Sequence, residues 1–257
     1  MKTNHVKVAL ERGEISWGSW LGLPSALVAR LTARAGFDWL MVDMEHSPIN
    51  FTMMCEIVGV IADANGPAPF VRVPSNTVEN IKRVLDSGAW GILCPMVNSV
   101  AEAEMIVSAC KYPPEGTRSI GGMYAPLSFE ATRPEYMSRA NQDIVVAVQI
   151  ESRAGLENVD KILAVPGVDM AFIGPNDLHA SLGMTPTFES NEPVFIEAVE
   201  TIKAAAARNK VAMGILCSNG AAAHQKAQEG FHFIGITSDN SALLYGLAQN
   251  LKAARGE

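Results

Sequence analysis

Two carboxylates, one arginine and one histidine are the side chains whose types and spacing best suit chemistry in this chain. Glu151 follows the apolar run IVVAVQI, and Asp177 lies in GPNDL, directly after DMAFIG. If both runs are strands, the two acids sit one strand–helix unit apart and can converge. Two carboxylates without a cysteine or histidine cluster favour a hard divalent ion such as Mg2+ or Mn2+, with positions left for water and substrate. The plainer readings are a helix cap for Glu151 and a helix N-terminal acid for Asp177.

Arg72 is a charge in the apolar stretch PFVRVP. Its planar fork suits a carboxylate or enolate oxygen, or else a structural ion pair. His46 follows Asp43 and Glu45, and a histidine in that company can carry a proton near neutral pH. Gly174 permits close backbone approach. The unpaired N–H groups of a helix beginning around Pro175 and Asn176 can hold a substrate carboxylate. Gln149, Trp20 and Leu216, near the ends of other apolar runs, complete the candidate substrate-binding set. A lysine Schiff base is the other common route to a carbanion beside a carbonyl. No lysine lies inside, or at the C-terminal end of, an expected strand; Lys210 precedes the seventh run, at the opposite end. This distribution favours metal-assisted enolate chemistry.

These side chains need elements to hold them. Eight nearly continuous apolar runs, at 15–21, 38–43, 69–73, 91–96, 144–150, 169–174, 211–216 and 232–237, read as parallel strands buried on both faces. Amphipathic stretches alternate with them, among them NTVENIKRVLDSG, SVAEAEMIVSACKY and the segment after Pro193. Eight such units in 257 residues predict an α/β fold, a (β/α)8 TIM barrel forming one domain over residues 1–257. In a barrel, catalytic groups come from C-terminal strand ends, where the candidates fall. An open doubly wound sheet is the competing fold, but GLPSALVARL after the first run has no glycine-rich phosphate fingerprint. The segment from Tyr112 to Asp143 reads as one long, Pro- and Gly-rich connection, a frequent place for function.

The bulk composition narrows the classes. Hydrophobic residues make up 48% and charged residues 18%, ordinary for a globular protein, and the net charge of −7 argues against nucleic-acid binding. Cys55, Cys94, Cys110 and Cys217 form no C-x-x-C pair, which argues against a thiolate zinc site; Cys94 and Cys217 read as buried free thiols. The first residues carry no signal-peptide core, and no run reaches a membrane span, so a cytoplasmic protein without a membrane partner is expected.

The segments GSWLGLPS, AGFDWLMVDMEHSP, FVRVP, YPPEGTRSIGG, VQIES and FIGPNDLHASLG occur in this order over most of the chain. Together they resemble the HpcH/HpaI family of class II pyruvate aldolases, which includes 2,4-dihydroxyhept-2-ene-1,7-dioate aldolase. The resemblance implies a TIM barrel and a divalent metal (Mg2+, Mn2+ or Co2+) held by Glu151 and Asp177. It implies that Arg72 binds the keto oxygen and stabilises the enolate, and that His46, with Asp43 behind it, is the acid–base group acting through a bound water. It places the substrate carboxylate on the N–H groups from Gly174 to Asp177. It further implies a homohexamer in which Asp86 lies near a neighbouring subunit's site. Met44 and Ser119 stand where the family commonly has glycine, and GILCSNG, a candidate wall of the acceptor pocket, reads as a variable segment. The expected activity is cleavage or formation of a carbon–carbon bond between a 2-oxo acid enolate, that of pyruvate, and an aldehyde. Alternatives are a related enolate enzyme, such as a citrate-lyase-like acyl-CoA lyase or a decarboxylating synthase, and a non-catalytic binding barrel.

Overall fold

Eight parallel strands follow one another around a closed barrel in chain order, β1 to β8. The computed structural model describes residues 1–256. The strands are β1 (Ser16–Leu21), β2 (Trp39–Asp43), β3 (Ala68–Arg72), β4 (Gly91–Cys94), β5 (Val145–Ile150), β6 (Met170–Ile173), β7 (Ala212–Leu216) and β8 (Phe233–Ser238). The helices are α1 (His5–Glu11), α2 (Ala26–Thr32), α3 (Phe51–Asp63), α4 (Val78–Asp86), α5 (Val100–Cys110), α6 (Tyr124–Ser128), α7 (Arg133–Asp143), α8 (Arg153–Leu163), α9 (Pro175–Ser181), α10 (Pro193–Asn209), α11 (Gly220–Gln228) and α12 (Asp239–Arg255). The expected α/β barrel is therefore found, and the open sheet is excluded because β1 pairs with β8.

The continuous apolar runs become strands because helices cover one face and the barrel interior the other. β2, β3 and β5 are buried at every residue. Aromatic rings from different strands fill the interior: Trp39 stacks on Phe233 at 3.7 Å, and Trp20 lies 5.4 Å from Phe172. This packed plug closes the barrel below the strand ends, so the reacting groups sit on a rigid floor.

Most strand-to-helix turns end in a capping side chain. Ser25, Asn50, Thr77, Ser99, Ser152, Asn219 and Ser238 each accept a backbone N–H of the helix they precede. At α9 the cap position is Gly174, with no side-chain cap, so the first N–H groups of that helix stay open to another acceptor.

Two expectations need correction. The Tyr112–Asp143 segment is not one structureless connection, since α6 and α7 lie within it. Its proline- and glycine-rich start hides a second pattern: Thr132 and Glu135 make a capping box that starts α7. The fourth strand also stops at Cys94, because Met96 adopts a positive φ of 51° and turns the chain back toward β5.

Cys94 and Cys217 are buried free thiols, as expected. Among the described residues, no helix is long and apolar enough to cross a membrane. α12 stands apart from the other helices: of its residues only Asp239 is buried, while Leu243, Leu244, Tyr245, Leu247 and Leu251 are exposed.

Candidate active site

The C-terminal strand ends surround a cavity of about 240 Å³. Trp20, Asp43, His46, Arg72, Gln149, Gly174, Pro175, Asn176, Asp177 and Leu216 all line it. Glu151 lies just beneath, 2% exposed. The candidate residues, scattered over nearly two hundred positions, therefore meet at one place.

The β2–β3 register sets Asp43 opposite Arg72. Parallel neighbours at one level project together, and the guanidinium fork closes on the carboxylate: Nε donates to Asp43 Oδ1 at 2.9 Å and Nη2 to Oδ2 at 2.6 Å. Arg72 Nη1 lies 3.1 Å from Glu45 Oε2, an ion pair by distance without hydrogen-bond geometry. Burial works against the Arg72 charge, but the hydrogen bond and charge of Asp43, with help from Glu45, outweigh it and hold the guanidinium protonated more firmly than usual.

This geometry revises the role given to Asp43 behind His46. Asp43 accepts the backbone N–H groups of Glu45 and His46, and its carboxylate faces Arg72 rather than the imidazole. The acid nearest the His46 ring is Glu45, whose Oε2 is 3.7 Å from Nε2. His46 itself is 61% exposed over the cavity. Burial raises the Glu45 carboxyl above its ordinary range, with Arg72 and His46 pulling the other way.

Glu151 does not cap α8; Ser152 does. Glu151 Oε1 accepts the Met96 N–H at 2.8 Å, and Oε2 accepts Gln149 Nε2 at 2.5 Å. Gly174 is glycine for a steric reason: a Cβ there would fall onto Glu151 Oε2 and within 2.6 Å of Gln149 Nε2. Asp177 is not at a strand end but in the first turn of α9, exposed to the cavity.

Asp43 and Glu45 pair with Arg72, and the charges of Asp177 and Glu45 reach the buried Glu151. Burial, aided by the charges of Asp177 and Glu45, pushes the Glu151 carboxyl up to about 7 against the opposing Met96 hydrogen bond. Gln149 Oε1 is buried without a hydrogen-bond partner. Among the described residues, no three His, Cys, Asp or Glu side chains form a metal-holding group. Glu151 and Asp177, by donor type alone, would fit a hard divalent ion that keeps water and substrate as its other ligands.

The shift at Glu151 has a measurable consequence in the metal-free protein. Between its ordinary pKa of 4.5 and about 7, the folded chain retains a proton that the unfolded chain has released. This group's contribution therefore falls as pH rises through that window, by about 3 kcal/mol in all. Urea denaturation at pH 5 and pH 7.5 checks this: Glu151→Gln gains on the wild type as pH rises. A pH-independent difference between the two proteins would contradict the shift.

Phe172, Phe188, Gly22, Ser238 and Asn240 also line the cavity and were not singled out from sequence. One signal was available, since Ser238 and Asp239 after the eighth run form a helix-start pattern. Asp86, expected near a neighbouring subunit, accepts a hydrogen bond from Arg118 Nη2 at 3.2 Å within this chain.

Fold and cavity together define a (β/α)8 barrel that gathers one guanidinium and several carboxyl groups at the C-terminal ends of its strands. The HpcH/HpaI aldolase/citrate lyase family profile matches residues 17–245, and the chain belongs to that family. A hydroxypyruvate/pyruvate aldolase of Rhizorhabdus wittichii is 35% identical, over 98% of this chain and 99% of its own. A 5-keto-4-deoxy-D-glucarate aldolase of Enterobacter sp. is 38% identical, over 92% of this chain and 91% of its own. The crystal structure of an HpcH/HpaI aldolase/citrate lyase family protein from Burkholderia cenocepacia superposes with a TM-score of 0.90 at 36% identity, covering 98% of this chain and 100% of that one. At 14% identity and a TM-score of 0.58, a Mycobacterium tuberculosis citrate lyase beta subunit, complexed with oxaloacetate and magnesium, shares the fold over 90% of this chain and 93% of its own. This chain is an aldolase, a carbon–carbon lyase.

Proposed function

We propose that the enzyme joins pyruvate, as its enolate, to an aldehyde and cleaves the corresponding aldol, with a divalent metal held by Glu151 and Asp177. The observation that carries this is the Arg72 guanidinium, paired with Asp43 and Glu45 at a small cavity that Asp177 also lines, beside a buried Glu151 that feels the charges of Asp177 and Arg72. It is supported by the relatives' names, one a hydroxypyruvate/pyruvate aldolase and the other a 5-keto-4-deoxy-D-glucarate aldolase.

When bound, the metal supplies Lewis-acid polarisation of the 2-oxo group. The open N–H groups at the start of α9 bind the substrate carboxylate. Arg72 keeps N–H groups beyond those given to Asp43, and these meet the keto oxygen as it becomes an enolate oxygen. In cleavage, the proton of the 4-hydroxyl leaves toward His46, the C3–C4 bond breaks, and its electron pair passes into the enolate. An aldehyde departs, and protonation at C3 gives pyruvate. Trp20 and Phe172 exclude water on the apolar side. The small cavity, below the roughly 300–1,000 Å³ of a drug-sized site, favours a short aldehyde over a CoA thioester.

The exposed apolar side chains of α12 support assembly of several copies, and a homohexamer, which the family resemblance implies, is the assembly proposed. The acidic net charge supports an enzyme acting on small molecules rather than on nucleic acid, and the cytoplasm is its proposed location.

Wild-type protein with Mg2+ should exchange the methyl protons of pyruvate in D2O; chelator should stop the exchange, and Mg2+, Mn2+ or Co2+ should restore it. No lysine lines the cavity among the described residues, so borohydride with pyruvate should trap nothing. A lysine adduct seen by mass spectrometry, or exchange that survives chelation, would refute the metal reading.

A further inference from the structure

The cavity wall is divided by charge. Asp43, His46, Arg72 and Asp177 come from the β2, β3 and β6 side, whereas the adjacent β7, β8 and β1 ends supply Leu216, Ser238, Asn240, Gly22 and Trp20. This second arc has no charged lining residue among the described residues. Asp239, next in sequence to Asn240, is 8% exposed and faces away: its carboxylate accepts the N–H groups of Gly22 at 2.8 Å and Leu23 at 3.1 Å.

Those two bonds tie the start of α12 to the turn after β1 and lay the Asn240 amide over Gly22. A Cβ at Gly22 would lie 3.0 Å from Asn240 Nδ2 and 3.1 Å from Oδ1, so glycine leaves the amide its place. Asn240 lines the cavity with an amide that no described residue engages, carrying both a donor and an acceptor.

We propose that Asn240 selects the aldehyde partner, and that the partner is a short, uncharged hydroxyaldehyde whose hydroxyl group pairs with this amide. The inference rests on the pyruvate reading above. Trp20 and Leu216 on the arc, with Phe172 of β6 beside Trp20, take the carbon chain. An aldehyde bearing a carboxylate would find no free cation there: the one arginine lining the cavity is held by Asp43 and Glu45. Its negative charge would also face the acid cluster, and like charges brought together are strongly unfavourable. A hydroxyl asks only for a donor or acceptor, which the amide provides without a change of charge. In the synthetic direction the new bond joins the pyruvate methyl carbon to the aldehyde carbon. The aldehyde oxygen takes up the proton handled by His46, so no further reactant is needed.

The test compares kcat/KM for glycolaldehyde, acetaldehyde and glyoxylate, each with pyruvate and Mg2+, followed by product formation. The wild type should prefer glycolaldehyde over glyoxylate by about tenfold or more. In Asn240→Ala the ratio of glycolaldehyde to acetaldehyde should fall roughly three- to tenfold, the effect of one hydrogen bond to a neutral group. Asn240→Arg, which puts a cation on the arc, should raise the ratio of glyoxylate to glycolaldehyde. A wild-type preference for glyoxylate, or an unchanged glycolaldehyde-to-acetaldehyde ratio in Asn240→Ala, would overturn the inference while D2O exchange of pyruvate stayed intact. Absence of that exchange in the wild type would overturn the pyruvate reading and this inference with it.

Discussion

Arg72→Ala should lower kcat for aldol cleavage by on the order of 10²–10³ and suppress pyruvate proton exchange in parallel. The enolate oxygen carries more charge than the ketone from which it forms, so an interaction that strengthens along the reaction appears in kcat and not only in KM. The structure adds a second consequence. Arg72 is the bidentate partner of the buried Asp43 and lies against Glu45. Removing it leaves two acids without their counter-charge, and breaking a buried pair costs about 3–5 kcal/mol. Arg72→Lys separates the two effects. It keeps the charge, so most of the stability should return, but it cannot reproduce the planar fork, so only part of the rate should. The measurements are kcat, the exchange rate, metal content and the denaturation midpoint for each variant. An Arg72→Ala protein that binds metal, stays folded and exchanges pyruvate protons at the wild-type rate would leave Arg72 with a purely structural role.

Metal binding and catalysis should fail together in Glu151→Gln and in Asp177→Asn, with the barrel retained. Both substitutions keep size and remove charge. At Glu151 the amide still has polar neighbours in the Met96 N–H and Gln149, so circular dichroism should be close to that of the wild type. The two sites should differ in degree of stabilisation. Glu151 is buried with a raised pKa, so its loss removes an unfavourable charge from the metal-free protein; Asp177 is exposed to the cavity, and its loss changes stability little. Isothermal titration with Mn2+ reads affinity directly. Full activity of either variant in the presence of chelator would remove the proposed metal site.

Much of this site was legible because strand ends announce themselves. Glu151 and the GPNDL segment follow, and Arg72 ends, an apolar run of strand length as expected for a strand buried on both faces, and in a barrel all such ends face one way. Asp43 and His46 were placed by the same argument. On the cavity's other arc Trp20 and Leu216 were placed as well, but Gly22, Phe188 and Asn240 were not, because they lie in turns or at a helix start, where no periodicity marks which residues face inward. α7 was missed for a related reason: a proline- and glycine-rich lead dominated the reading of a segment whose later half is well capped.

What the sequence determined by itself was the alternation of elements, their number and hence the closed barrel, together with most of the charged residues at the C-terminal ends of its strands. These follow from local pattern and from the need to bury eight apolar strands on both faces. What only the tertiary structure decided was pairing. Asp43 serves Arg72 and not His46 because the β2–β3 register sets those two residues side by side. Gly174 must be glycine because the Glu151 carboxylate packs against its backbone. Asn240 reaches the cavity because Asp239 ties the end of the barrel to its beginning, across a separation of 217 residues. Partners chosen across such distances depend on which atoms the closed barrel brings within 3 Å, and composition and spacing carry no record of that.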